Sequence, residues 1–144
     1  MYIDSQMVLA SAQAVTSTGD TASTNVFDTQ VAVDQGIGLP PLYLVANVAT
    51  TATSGGSATV QAVLQHSADN SSWSDVATGP AIAVASVTAG TNLVQMPIPP
   101  GTNKRYLRVA WRVGTAALTA GAFNAYFVLD LQAAIPYTSG FTVA

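Results

Sequence analysis

The sequence predicts an all-β protein, a sandwich or barrel of short antiparallel strands in a single domain. Three observations carry this. The 144-residue chain has 17 Val and 17 Thr but no Glu and a single Lys. β-Branched residues favour strands, whereas Glu and Lys are the usual surface residues of helices. Eleven Gly and seven Pro interrupt the chain often. Between these breaks, apolar runs recur at roughly 8–12 residue spacing, as in sandwiches and barrels.

The elements follow in order. Met7 to Val15 reads as a strand, although its Ala-rich pattern also suits a helical turn. A short strand lies near Asn25 to Phe27. Pro40–Pro41 fixes the start of the next strand, because proline cannot donate to a central ladder. There Leu42, Leu44, Ala46 and Val48 alternate with Tyr43, Val45 and Asn47. A Ser54–Gly55–Gly56–Ser57 turn leads to Val60–Gln65, and Trp73–Ala77 is its partner across a turn. Ile82–Val87 and Leu93–Met96 flank an Ala89–Gly90 turn.

The clearest pattern is Tyr106–Val113. Leu107, Val109, Trp111 and Val113 point one way, and Tyr106, Arg108, Ala110 and Arg112 the other, as in a half-buried strand. Phe123, Ala125, Phe127, Leu129 and Leu131 alternate in the same manner with Asn124, Tyr126, Val128 and Asp130. Eight or nine strands result. The segment after Leu131, QAAIPYTSGFTVA, is broken by Pro136 and Gly140 yet carries Tyr137, Phe141 and Val143. It is expected to dock on its own domain or on a neighbour. The expected organisation is therefore a sandwich domain over 1–131 and an apolar tail over 132–144.

Charge is scarce. Only 8% of residues are charged, against about 25% in a typical domain, while 49% are hydrophobic. Such a chain is expected either in a membrane or with much of its surface covered by other proteins. No apolar run approaches the ~18 residues of a spanning helix, so the covered surface is the better reading. The N-terminus lacks a basic region and a long apolar run, so no secretory signal is expected. Cysteine is absent, which excludes disulfides and thiolate metal sites. The four cations, Lys104, Arg105, Arg108 and Arg112, fall within nine residues of a chain of net charge −3. Nucleic-acid binding needs a broader basic field, so a solvated or interface-facing stripe is expected instead.

Little in the sequence suggests chemistry. His66 has Ser67, Asp69 and Asp75 nearby in sequence, but adjacency is no sign of a triad. Asp69–Asn70–Ser71–Ser72 with Asp75 offers oxygen ligands, yet it lacks the further acids and the bidentate Glu of a calcium loop; an Asx-turn explains it. Asn70–Ser71–Ser72 matches a glycosylation acceptor, a match with little weight in a chain without a secretory signal. Gly36 and Gly38 precede Leu39–Pro40–Pro41, which cannot open a phosphate-binding helix. Trp73, Trp111, Tyr43, Tyr106 and Tyr126 are candidates for a sugar platform, though Trp111 belongs to the apolar face of its strand. No enzyme activity, cofactor or metal is expected.

Several segments taken together resemble a known family. Residues 60–76, VQAVLQHSADNSSWSDV, give a strand, an Asp-Asn-Ser turn and a Trp opening the return strand. Residues 96–113, MPIPPGTNKRYLRVAWRV, give a Pro-Pro-Gly-Thr turn into a Tyr-Leu-Arg strand. With the opening MYIDSQ and the STNVFD segment at 23–28, they resemble the jelly-roll capsid cement (decoration) proteins of tailed bacteriophages.

The resemblance implies a jelly roll of about eight strands. It implies a virion protein, made in the bacterial cytoplasm, that binds the outer surface of an icosahedral capsid and bridges neighbouring major-capsid subunits. The implied partners are the major capsid protein and further copies of the chain, a homodimer or a trimer, with neither nucleic acid nor membrane. A cement protein covers much of its own surface, which agrees with the scarcity of charge. Candidate contacts are Tyr2, Ile3 and Asp4 at one terminus and Tyr137 and Phe141 at the other. Arg108 and Arg112 share a strand face and can pair with acidic groups of a shell, or with Asp residues of an adjoining strand. The alternative is a tail or fibre-associated β-sandwich that binds host glycans.

Overall fold

The computed structural model describes residues 3–129 and 131. Its strands are β1 (Val8–Ala14), β2 (Gly19–Ala22), β3 (Phe27–Asp28), β4 (Tyr43–Ser54), β5 (Thr59–Ser67), β6 (Ser74–Thr78), β7 (Ile82–Ala83), β8 (Asn92–Pro97), β9 (Tyr106–Gly114) and β10 (Leu118–Val128). The only helical pieces among the described residues are 3-10 turns at Ser5–Met7, Gln35–Ile37 and Val84–Ser86.

Two antiparallel sheets pack face to face. One has the order β1-β10-β4-β8; the other has β2-β9-β5-β6, with β3 added on β9 and β7 on β5. This is the jelly-roll order. Its eight-strand frame appears as ten because two edge strands are interrupted. β2 and β3 pair with successive stretches of β9, and β6 and β7 with successive stretches of β5. Between β2 and β3 the chain swings to the other sheet, where Asn25 N donates to Leu9 O at 2.8 Å. The strand expected near 25–27 is the two-residue β3, Phe27–Asp28, and β2, Gly19–Ala22, is a further piece of the same edge that was not expected.

Period-two alternation sets the core. Leu44, Ala46 and Val48 of β4 and Phe123, Ala125 and Phe127 of β10 join one buried cluster with Val60, Ala62 and Leu64 of β5 and Leu107, Val109, Trp111 and Val113 of β9. Small residues leave room for large ones: Trp111 is fully buried, its ring 5.1 Å from that of Phe123. Its Nε1 donates to Gln13 Oε1 at 3.1 Å, so the indole reaches a partner on β1. Near one end Phe27 meets Phe127 edge-on at 5.5 Å. Each fully buried side chain of this kind contributes about 1.5–3 kcal/mol.

Three expected strands change most in extent. The expected 42–48 strand runs on to Ser54 as β4. Ile82–Val87 keeps only Ile82–Ala83 as strand, followed by the 3-10 turn. There the chain must cross from β5 in one sheet to β4 in the other, and a crossing segment cannot stay in either ladder. The expected 123–131 strand starts early, at Leu118, and ends at Val128. Gly121, at φ +151°, sits where the β10–β4 register shifts, and a Cβ there would lie 3.2 Å from the Ala52 Cβ. The strand ends because Val128 pairs with Tyr43, the first residue of β4 after Pro40–Pro41, and no partner extends further. Leu129 is consequently exposed rather than core. Leu131 packs with Val45, Tyr126 and Val128 on the outer face of the β1-β10-β4-β8 sheet.

Candidate functional site

The strand registers put particular connections at one end of the sandwich. β1 begins opposite Tyr126, β4 begins opposite Val128 and Pro97, and β9 begins opposite Ser67 and Asp28. The N-terminal residues 3–7, the β3–β4 loop, the β5–β6 turn, the β8–β9 loop and the exit from β10 therefore share that end. The opposite end carries small residues in its connections, such as Ser54–Gly55–Gly56–Ser57.

The shared end is where apolar surface is exposed. The exposed large hydrophobics among the described residues are Ile3, Val26, Val31, Val33, Ile37, Leu39 and Leu129; all lie there except Val26, which sits on the β2–β3 connection and lines the cleft beside this end. Ile37 keeps 69% and Leu39 96% of its surface accessible. Scattered apolar residues are ordinary; a set gathered on one end marks an interaction surface.

The β3–β4 loop is nonetheless firmly held. Asp34 accepts from Gly36 N at 2.9 Å and from Gly101 N at 2.8 Å, tying the loop to the β8–β9 connection. Gln35 N donates to Thr102 O at 3.1 Å, and Thr29 N to Arg105 O at 3.0 Å. Gly36 lies against the Pro99–Pro100 backbone, so closely that a Cβ would collide with the Pro99 carbonyl. The Leu39–Pro40 peptide is cis. The Asp34, Gln35 and Thr29 hydrogen bonds hold the loop that carries Val31, Val33, Ile37 and Leu39 on a fixed frame, which lowers the cost of ordering it. Beside it lies an open cleft of about 580 Å³, lined in part by Gln6, Asn25, Val26 and Gln30. A convex apolar loop next to a polar notch gives the end a shape that can set register.

Charges at this end are engaged within the chain. Asp4 caps the first 3-10 turn, accepting from Gln6 N at 2.9 Å. Asp28 and Arg105 form a two-point pair with both contacts at 2.7 Å, which holds the Asp28 carboxyl below its usual range. Lys104 Nζ donates to Ser74 Oγ at 2.9 Å. Asp69 accepts from Ser67 Oγ, Ser71 N and Ser72 N, and these bonds hold its carboxyl far below the ordinary value. The turn is an Asx-turn, and no group of acids or histidines able to hold a metal occurs among the described residues.

The residues singled out from sequence divide. Ile3 is exposed at this end, and Asp4 has the capping role just described. Tyr2, Tyr137 and Phe141 lie outside the described residues. Arg112 is matched within the chain: its Nε and Nη2 meet Asp20 at 2.7 and 2.8 Å, and Nη2 also meets Asp75 at 2.9 Å. All three partners are more than a third exposed, so each pair contributes little to stability. Arg108 has a different setting, on the Trp73 ring. The apolar β3–β4 loop was not singled out, although its signal is in the sequence: QVAVDQGIGLPPL is apolar at alternate positions, but Gly and Pro prevent it from burying them in a strand.

The suspected chemical groups do not converge. Ser67 Oγ is committed to Asp69, and His66 Nδ1 is buried without a partner among the described residues, so these groups form no Ser–His–Asp relay. Nor do the aromatic rings share a platform. Trp111 is core, Tyr43 and Tyr126 lie on the outer face of one sheet, and Trp73 and Tyr106 are on the side of the other.

His66 does have a consequence for stability. Burial, and secondarily the charge of Lys104, lower its pKa below the ordinary 6.5. The unfolded chain therefore takes up a proton before the folded one does. Stability is at its full value above about pH 6.5 and falls as pH drops from there through the folded-state value. Urea midpoints measured from pH 7.5 to 5 are expected to decline, and His66→Gln to flatten the decline. An equal decline in the variant would assign it to other groups; the bonded Asp28, Asp69 and Asp75 lose their stabilisation at lower pH.

Fold and site together define a jelly-roll module with exposed apolar side chains gathered at one end. The chain belongs to the Bbp16 family, whose profile matches residues 9–127. That membership agrees with a phage-related protein. No curated protein matches the chain.

Proposed function

We propose that this protein is a structural component of a phage virion that docks on the outer surface of the assembled capsid and stabilises it by bridging neighbouring major-capsid subunits. The observation that supports this most is the rigid apolar end, with six of the seven large exposed hydrophobics of the described residues on it and its charges already engaged. Family membership and the scarcity of charge support the same reading. A capsid presents the same contact many times, so modest single-site affinity suffices for full occupancy of a shell. Its own copies, as a dimer or trimer, and the major capsid protein are the proposed partners; no cofactor or catalytic step is required.

The test is co-sedimentation of purified protein with expanded shells assembled without it. Saturable binding and a raised shell disruption temperature are expected. Absence of binding, together with quenching of Trp73 fluorescence by host glycans, would favour the glycan-binding alternative.

A further inference from the structure

The outer face of the β2-β9-β5-β6 sheet carries a chain of polar contacts with one end left open. Asp20 and Asp75 flank Arg112. Gln65, only 6% exposed, donates from Nε2 to Asp75 Oδ1 at 2.8 Å and accepts from Arg108 Nε at 2.9 Å. Because its amide is used on both sides, Gln65 fixes the direction in which Arg108 extends. The Arg108 guanidinium then lies over the Trp73 ring, its carbon 4.1 Å from the ring centroid. Arg105 and Arg112 each hold a carboxylate in two-point geometry; among the described residues Arg108 holds none. Its two terminal nitrogens have no hydrogen-bond partner among those residues.

A guanidinium stacked on an aromatic ring and tethered through Nε has lost most of its rotational freedom, and its remaining edge matches a carboxylate in two-point fashion. Trp73 lies in the β5–β6 turn, one residue before β6, so the pair lies beside the apolar end, where an interface places its polar rim. In a chain with so few charges, an immobilised cation left without an anion calls for one from outside. A single guanidinium, with the neighbouring cations already engaged, does not suit a polyanion such as nucleic acid.

We infer that Arg108, held by Gln65 and Trp73, is a docking point for an Asp or Glu side chain of the partner protein, orienting the apolar end on it. This inference rests on the shell-docking reading. Burial depresses the Arg108 pKa, and the charge of Asp20 offsets this only in part, so the desolvated guanidinium is incompletely compensated within the described residues. Arg112, by contrast, already holds two carboxylates, those of Asp20 and Asp75.

The experiment compares wild type, Arg108→Gln, Arg108→Lys and Arg108→Glu for binding to expanded shells between about 50 and 500 mM salt, which shortens the screening length roughly threefold. Truncating one partner of a hydrogen-bonded interfacial charge pair weakens affinity by tenfold or more, so Arg108→Gln is expected to lose ~10- to 100-fold at low salt. It should also flatten the salt dependence. Arg108→Lys should recover part of the loss, and Arg108→Glu should bind more weakly than Arg108→Gln. An unchanged melting temperature for Arg108→Gln would separate docking from folding. Wild-type-like affinity and salt dependence in Arg108→Gln would overturn the inference. Failure of the wild type to bind shells would instead overturn the shell-docking reading on which it rests.

Discussion

Replacing Ile37 and Leu39 together by Ser is expected to reduce shell binding a hundredfold or more while leaving the fold intact. The two side chains are the most exposed large hydrophobics of the described residues and sit on a loop that does not need to be ordered on binding. Apolar anchors at the centre of an interface cost about 2 kcal/mol or more each when removed, and each 1.4 kcal/mol is tenfold in affinity. Neither residue contributes to the core, so unfolding stability should stay within about 0.5 kcal/mol of wild type. The readout is the binding isotherm on expanded shells, with thermal unfolding as the control for folding. If the double variant binds as wild type does, the apolar end is not the contact, and the proposed function loses its main support.

The largest effect on stability is expected at Trp111. Its side chain is fully buried, packs on Phe123 and spans the sandwich to Gln13 on β1. Trp111→Ala removes those contacts and leaves a cavity between two sheets whose backbones are fixed by their ladders. Substitutions of this kind cost about 3–5 kcal/mol, out of the roughly 5–15 kcal/mol that a domain has. Trp111→Phe keeps ring contact with Phe123 but loses the indole donor. Gln13 Oε1 still accepts from Thr24 N at 3.1 Å in that variant, so a smaller loss is expected. Urea denaturation of the three proteins gives the comparison directly. A Trp111→Ala variant as stable as wild type would mean that the two sheets collapse around the gap at no cost, contrary to the close packing seen here.

Much of this architecture is legible in the residues. The alternation of Leu107, Val109, Trp111 and Val113 with Arg108 and Arg112 identifies both faces of β9, and the structure keeps every one of those assignments. Pro40–Pro41 marks the start of β4. Other elements were not legible because their cause is not local. β10 stops at Val128 for want of a partner, although Leu129 and Leu131 continue the alternation. β3 and β7 are two-residue strands whose existence depends wholly on β9 and β5.

The site divides in the same way. Low charge is the sequence feature behind the proposed covered surface, since exposed charges are what keep proteins solvated and apart. It does not say which surface. Arg108 and Arg112 look equivalent in sequence, two residues on one strand face. Only the neighbouring strands distinguish them, placing Asp20 and Asp75 against Arg112 and Trp73 and Gln65 against Arg108.

The sequence by itself determined an all-β sandwich with a sparsely charged surface, because period-two hydrophobicity, β-branched residues, the absence of Glu and the scarcity of Lys act residue by residue. The tertiary structure alone decided that the exposed apolar side chains gather at one end and that one arginine is left without an anion. Both depend on registers between strands far apart in the chain, and those are set by how two whole sheets pack rather than by any local pattern.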